Sequence, residues 1–388
     1  MAETSTSPKG KPQAFRITSG LKESLFGYLM ISPSILIISI FGLFPIFYSI
    51  YMSTFNWRVK KGDFIGLENY RKLFGEPKGL LIFFAGLVLL ALAFWLWNSA
   101  FKTSGNGKRI IKIIAALLLL AFGVAYAVGW NSFTTTGDGA FFKSLNVTLY
   151  YSLLTVPTQL IIGLVLAFIL FQKIKGKEIF RMVYFLPYIT PAVSTAIVFR
   201  TIFNKRDSSL SNIILGMFNI EPFKWLYEPN QVLNLITGGN FEGFWAGPSL
   251  ALVTIAIYGV WTFAGYDTVI YLAGLGNIPT EVYEAAEIDG SNGWHLFWHI
   301  TFPLISPVSF YLLLISFIGT FKAFNHLYVM KTPFALDSID TASLTIFETF
   351  YKANNYGYAA TQAIILFIII AGLTFAQNKL LGKKVFYG

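Results

Sequence analysis

PTEVYEAAEIDGSNGWHLFWHITFP, residues 279–303, is a polar interruption between two long apolar segments. It holds Glu281, Glu284, Glu287 and Asp289, while no Lys or Arg occurs between Leu275 and Phe321. In a chain of net charge +10 such an acidic patch stands out. Pro279 suits a first helical turn, and Glu281 to Ile288 is good helix material, with Val282, Ala285 and Ala286 as its apolar side. Gly290 is placed as a left-handed C-cap. Ser291 or Asn292 can cap a second short helix, whose end Pro303 follows. The stretch predicts two short helices meeting at a glycine corner. Glu281, Glu284 and Glu287, spaced three apart, crowd one face and repel one another mildly. A solvated acidic loop and a docking surface for a basic partner both fit that charge pattern.

The flanking segments decide the class. The 388 residues are 55% hydrophobic and only 12% charged, against about a quarter charged in soluble domains. Runs of spanning length recur, which predicts an all-α, polytopic membrane protein. The absence of cysteine excludes disulfides, thiolate metal sites and a cysteine nucleophile. His295, His299 and His326 are too few and too scattered for a metal site. The basic excess fits cytoplasmic loops and lipid headgroups. Nucleic acid binding is the poorer explanation, because no basic stripe with interleaved aromatics occurs.

About eight spans are expected: 26–51, 80–97, 113–130, 147–171, 183–203, 249–275, 304–322 and 358–377. Residues 1–24 read as a polar cytoplasmic tail, and 25–79 as the first span with an extracytoplasmic segment. Residues 80–130 form an additional transmembrane hairpin anchored by Trp95, Trp97 and Trp130, and 131–388 form the main domain. Pro187 and Pro191 interrupt the fifth span, for packing or to bare carbonyls toward a cavity. Basic clusters at 102–112, 173–181 and 379–384 favour a cytoplasmic location for both termini. The same parity puts 279–303 in the cytoplasm without any positive charge, which favours the docking reading.

Glu284-Ala285-Ala286, then Asp289-Gly290, nine residues, Ile300 and Pro303 resemble the EAA loop of ABC-importer permeases, pattern EAA-x-x-DG-x9-I-x-x-P. Gly66-Leu67-Glu68-Asn69-Tyr70 looks like the GLENY signature of the carbohydrate-uptake branch, which includes maltose-type permeases. Phe185 to Pro191, Trp225-Leu226 and Gly357 to Ala360 fall where similar segments occur. The hairpin at 80–130, Glu287, Ser291 and Lys331-Thr332 depart from the pattern. The resemblance implies a type I ABC importer permease fold and a sugar or oligosaccharide as solute. It implies a second permease subunit (usually a different chain), two cytoplasmic ATPases that carry ATP and Mg, and an extracytoplasmic solute-binding protein. No cofactor is expected on this chain. Glu281, Glu284, Ala285, Ala286, Asp289 and Gly290 would couple to the ATPase. No G-x4-GK-[ST] loop is present, so the chain is not itself read as an ATPase.

By the same similarity a solute groove would be lined at Tyr188, Tyr266, Ser316, Gly319 and Thr320; helix packing is the bland alternative for each. Asp267 and Lys322 are intramembrane charges and therefore functional candidates. They pair with each other, or Lys322 meets an acidic solute group, or Lys322 snorkels to the outer interface. Arg200 most simply snorkels. Within the same architecture glycerol-phosphate or another polar solute is the runner-up. An ion-coupled secondary transporter and a membrane enzyme using the 281–289 carboxylates are the rivals of other classes.

Overall fold

The structure, a computed structural model, describes residues 19–102, 106–127, 135–172, 175–241, 246–382 and 385. Most of the expected tail, Trp130, Lys173, Lys383 and Lys384 lie outside the described residues. Helix begins at Ser19, inside the stretch expected to be a tail. Residues 1–52 and 53–388 form two compact units.

The first unit is one apolar helical run: α1 (Ser19–Ile38), a π-helical turn (Ser39–Leu43) and α2 (Phe44–Ser53). Pro45 explains the π turn. It has no N–H and its ring crowds the carbonyl four residues back, so the ladder widens just before it.

The second unit opens with a two-stranded antiparallel ribbon, β1 (Phe55–Trp57) and β2 (Lys61–Phe64), followed by α3 (Glu68–Phe74). Asn69 of the GLENY stretch is buried and donates to the carbonyls of Ser53, at 2.8 Å, and Phe55, at 3.3 Å. The Tyr70 hydroxyl meets Ser53 Oγ at 2.8 Å. The signature is therefore a clasp, within the second unit, that holds α3 to the residues opening the ribbon.

Helices α4 (Pro77–Phe101) and α5 (Asn106–Ala127) pack along each other, and of the two only α4 is long and apolar enough to cross a membrane among the described residues. The buried positions of α4 are Gly79, Gly86, Ala93 and Ala100, one every seven residues. Small side chains at heptad spacing let two backbones approach closely.

The remaining helices are α6 (Gly139–Phe171), α7 (Lys177–Ile189), α8 (Ala192–Ile202), α9 (Leu210–Met217), α10 (Val232–Thr237), α11 (Leu250–Gly276), α12 (Thr280–Ile288), α13 (Gly293–Leu304), α14 (Ser306–Phe321), α15 (Asn325–Met330), α16 (Ala342–Tyr351) and α17 (Tyr356–Leu381). By length and composition five helical runs can cross a membrane, or up to seven if each of two bent pairs is one span, among the described residues. The expected third span, 113–130, runs past the end of the described part of α5.

The expected fifth span is not one gently kinked helix. α7 and α8 meet at 95°, and α13 and α14 meet at 61°. Pro187 and Pro191 flank the first corner, Pro303 and Pro307 the second. In both cases the second proline cannot supply the N–H that would bond the carbonyl of the first, four residues back.

At the centre α6 and α11 lie side by side and run the same way. A β-carbon on Gly259 would fall 2.6 Å from Tyr151 Oη, and one on Gly163 would fall 2.8 Å from Asp267 Cβ. A polar row runs through this core. Tyr151 Oη bonds His326 Nε2 at 2.8 Å, Ser152 Oγ donates to Thr320 Oγ1 at 2.8 Å, and Gln159 Nε2 donates to Ser316 Oγ at 2.8 Å. Each such buried bond contributes about 1 kcal/mol, and more is lost if one partner is removed.

The segment from α15 to α16 is outside the spanning helices and is clamped by charge. Lys331 Nζ lies 2.7 Å from Asp340 Oδ1 and 3.0 Å from Glu348 Oε1, and Lys352 pairs with Glu348 at 2.7 Å. Thr332 Oγ1 donates to the Leu226 carbonyl at 2.9 Å, so the departure at Lys331-Thr332 carries contacts of its own.

Candidate coupling elbow and solute groove

α12 ends in a full Schellman motif. Ser291 N–H bonds the Ala286 carbonyl and Gly290 N–H the Glu287 carbonyl, each at 3.0 Å. Gly290 sits at φ +78°, where a β-carbon is strained. Of the two capping candidates Asn292 does the work: its Oδ1 accepts from His295 N–H at 2.8 Å. The second helix does not stop before Pro303. It passes through a π turn (Phe297–Thr301) and continues to Leu304, again because a proline without an N–H follows.

The elbow is rooted in a core containing Leu170, Leu275, Ile278 and Ile305, with Tyr283 packed against it. Tyr283 Oη meets Thr301 Oγ1 at 3.4 Å, tying α12 to α13. The apolar side differs from expectation. Only Ala286 is buried; Val282 and Ala285 are exposed, because Tyr283 and Ala286, three apart, form the inward face. Ala286 thus allows close approach within the chain, and Ala285 remains available to a partner. Glu281, Glu284, Glu287 and Asp289 are exposed. So are Ile288, 87% accessible, and Trp294, 74%. Sequence reading passed over both, since a single apolar residue inside a polar loop carries no periodic signal.

Tyr188 and Tyr266 stack with ring centroids 4.7 Å apart, and Phe263 packs edge-on to Tyr188 at 6.0 Å. Gly265 makes this possible: the Tyr184 carbonyl occupies the place its β-carbon would take. On α14, Tyr311, Ile315 and Gly319 recur every four residues and are exposed, and a β-carbon on Gly319 would meet nothing within 4 Å. Tyr311, which lies beside Tyr266, was not foreseen. Thr320 does not line this groove. It is buried and bonded to Ser152, and Ser316 is half-buried and bonded to Gln159. Both hold α14 to α6.

Asp267 and Lys322 do not pair. Asp267 is 1% exposed, against Gly163 of α6, and its Oδ2 has no hydrogen-bond partner among the described residues. Lys322 caps the far end of α14 and is exposed. Arg200 is held by the Val329 carbonyl at 3.3 Å rather than reaching freely outward.

A cavity of about 650 Å³ opens between α6, α7 and α11, lined by Leu154, Ile162, Pro187, Val260 and Trp261 among others. The Thr158 hydroxyl in this lining is spent on the Leu154 carbonyl at 2.7 Å. Such a lining suits acyl chains or a neighbouring helix, not a hydrated solute.

Residues 159–387 match the family described as the binding-protein-dependent transport system inner membrane component. The chain belongs to that family. It is a multi-pass membrane permease with the ABC-importer permease fold. It is 30% identical over 322 residues to the arabinooligosaccharides transport system permease protein AraP of Bacillus subtilis, covering 81% of this chain and 93% of that one. Lactose transport system permease protein LacF of Rhizobium radiobacter is 28% identical, with 90% and 92% covered. Trehalose/maltose transport system permease protein MalF of Thermococcus litoralis is 25% identical, with 94% and 96% covered. Among solved structures, a chain of a bacterial alginate ABC transporter in complex with an alginate pentasaccharide-bound periplasmic protein superposes with TM-score 0.64. It is 16% identical over 93% of this chain and 95% of that one, a likeness of fold.

Proposed function

We propose that this permease moves a sugar or oligosaccharide inward by alternating access, in an importer driven by two separate cytoplasmic ATPases and fed by an extracytoplasmic binding protein. A second permease subunit completes the pore, both termini are cytoplasmic, and ATP and Mg reside on the ATPases. The observation that carries this reading is the elbow. A short helix, locked at its corner by a Schellman motif and an Asn292 cap, presents carboxylates around Ala285, Ile288 and Trp294. Charged groups at a rim with apolar anchors at the centre make a docking surface for a basic, cleft-bearing partner. Nucleotide-driven closure of that partner pushes the elbow, and the proline corners let attached spans rotate. The stacked tyrosines and Phe263 suit the apolar faces of sugar rings.

The test is isolation of the assembly through a tag on this chain and reconstitution into vesicles. ATP-dependent sugar uptake that requires both the ATPase and the binding protein is expected. Uptake driven by an ion gradient without ATP would replace this reading with an ion-coupled carrier.

A further inference from the structure

The face of α14 beside the tyrosine pair continues beyond Gly319 to a cation. Tyr311, Ile315, Gly319 and Lys322 fall at i, i+4, i+8 and i+11, a single narrow stripe of a helix, and all four are exposed. Several other cations of the chain are occupied. Arg200 is bonded to the Val329 carbonyl, Lys205 lies over the Phe334 ring at 4.3 Å, and Lys224, Lys331 and Lys352 pair with carboxylates. The Lys322 ammonium has no hydrogen-bond or ion-pair partner among the described residues. An unneutralised charge at the end of an exposed helix stripe that begins at Tyr311 is a binding group in want of an anion.

We propose that Lys322 makes this a permease for acidic oligosaccharides, holding an anionic group of the solute while Tyr188, Tyr266 and Tyr311 hold its ring faces. The inference rests on the sugar-import reading and sharpens it. Eleven residues of helix separate Tyr311 from Lys322, about 16 Å along the axis. That distance matches an oligosaccharide rather than a single sugar. A lysine suits the task because its compact ammonium on a flexible stem takes an anion in many orientations as the solute moves.

The test compares uptake of trigalacturonate and of maltotriose by the intact assembly in vesicles, for the native chain, Lys322→Gln and Lys322→Arg. The native assembly is expected to import trigalacturonate. Lys322→Gln should lower the ratio of acidic to neutral uptake at least about tenfold, the loss of one charge-assisted hydrogen bond. Lys322→Arg should restore most of that ratio. An unmoved ratio with maltotriose imported overturns this inference and leaves the sugar-import reading intact. An equal effect on both sugars that tracks the anionic lipid content assigns Lys322 to headgroups and also overturns it. Import of neither saccharide by the native assembly overturns this inference, and the sugar-import reading is then judged by its own test with other sugars.

Discussion

The carbonyl of Tyr184 fills the space that a β-carbon would need on Gly265. Through that contact α7 lies directly on α11, and one turn later Tyr188 reaches Tyr266. Gly265→Ala must push a backbone rather than a side chain, so a loss of about 3 kcal/mol is expected, at the upper end for overpacking. Gly319→Ala faces open space and should leave stability unchanged while narrowing the groove. Thermal unfolding in detergent checks the first, and uptake kinetics check the second. Equal Tm for Gly265→Ala and the native protein would mean the two helices are not in contact.

At the elbow, Gly290→Pro should remove the corner and Glu284→Lys should reverse the charge at its exposed face. Both variants are expected to insert normally and to lose ATP-driven uptake. The corner itself accounts for a milder variant: Gly290→Ala should cost only about 1 kcal/mol, the strain of a side chain at positive φ. Normal transport by both Gly290→Pro and Glu284→Lys would remove the elbow from the drive.

The clamp at Lys331 makes stability depend on pH in a defined sense. Burial alone would lower the Lys331 ammonium, but Asp340 and Glu348 outweigh it and hold it above the lysine range. Burial would raise Glu348, yet Lys352 and Lys331 bring it below the usual range; at Asp340 burial wins and raises it. The Lys331 contribution is therefore complete below the ordinary lysine value and is lost as pH climbs through the raised one. That of Glu348 is present above the ordinary glutamate value and is lost as pH falls through the lowered one. Asp340 opposes on the acid side, ionising at a cost as pH rises through its raised value. A plateau between the carboxylate and lysine ranges follows, with a softened acid edge. Lys331→Met should lower it by about 2–3 kcal/mol, less than for a fully buried pair. Melting profiles of both proteins across pH decide the matter.

Asp267 and Lys322 occupy separate surroundings, the first inside the α6–α11 contact and the second at an exposed helix end. The losses from Asp267→Asn and Lys322→Met should add to within about 0.5 kcal/mol in a double-mutant cycle on stability. A rescue in the double variant would bring back the pairing.

What could be read from the chain followed from local chemistry. Gly290 at positive φ and a cap at Ser291 or Asn292 depend on a few neighbouring residues and were readable, whereas the GLENY stretch was read as a resemblance without the clasp that Asn69 makes. Burial partners were not readable. Thr320 shares the residue type of a groove position, but whether its hydroxyl faces solute or Ser152 depends on the rotation of α14 against α6, which no single-helix pattern records. Val282, Ala285 and Ala286 were grouped as one apolar side, and nothing local says that Ala286 turns inward with Tyr283, whose hydroxyl lies near Thr301, while Val282 and Ala285 stay exposed. Pro187 and Pro191 were noticed as a break, whereas the identical spacing at Pro303 and Pro307 went unread because Pro303 closes the EAA pattern.

That repeated proline spacing has a mechanical meaning. An ordinary helix resists flexing because hydrogen bonds on its outer side must stretch, but at positions 191 and 307 the bond that would stretch was never there to lose. The two joints are articulated by composition. Whatever angle they adopt through a transport cycle, each joint has one ladder bond fewer to strain, and the stiff rods on either side keep their shape.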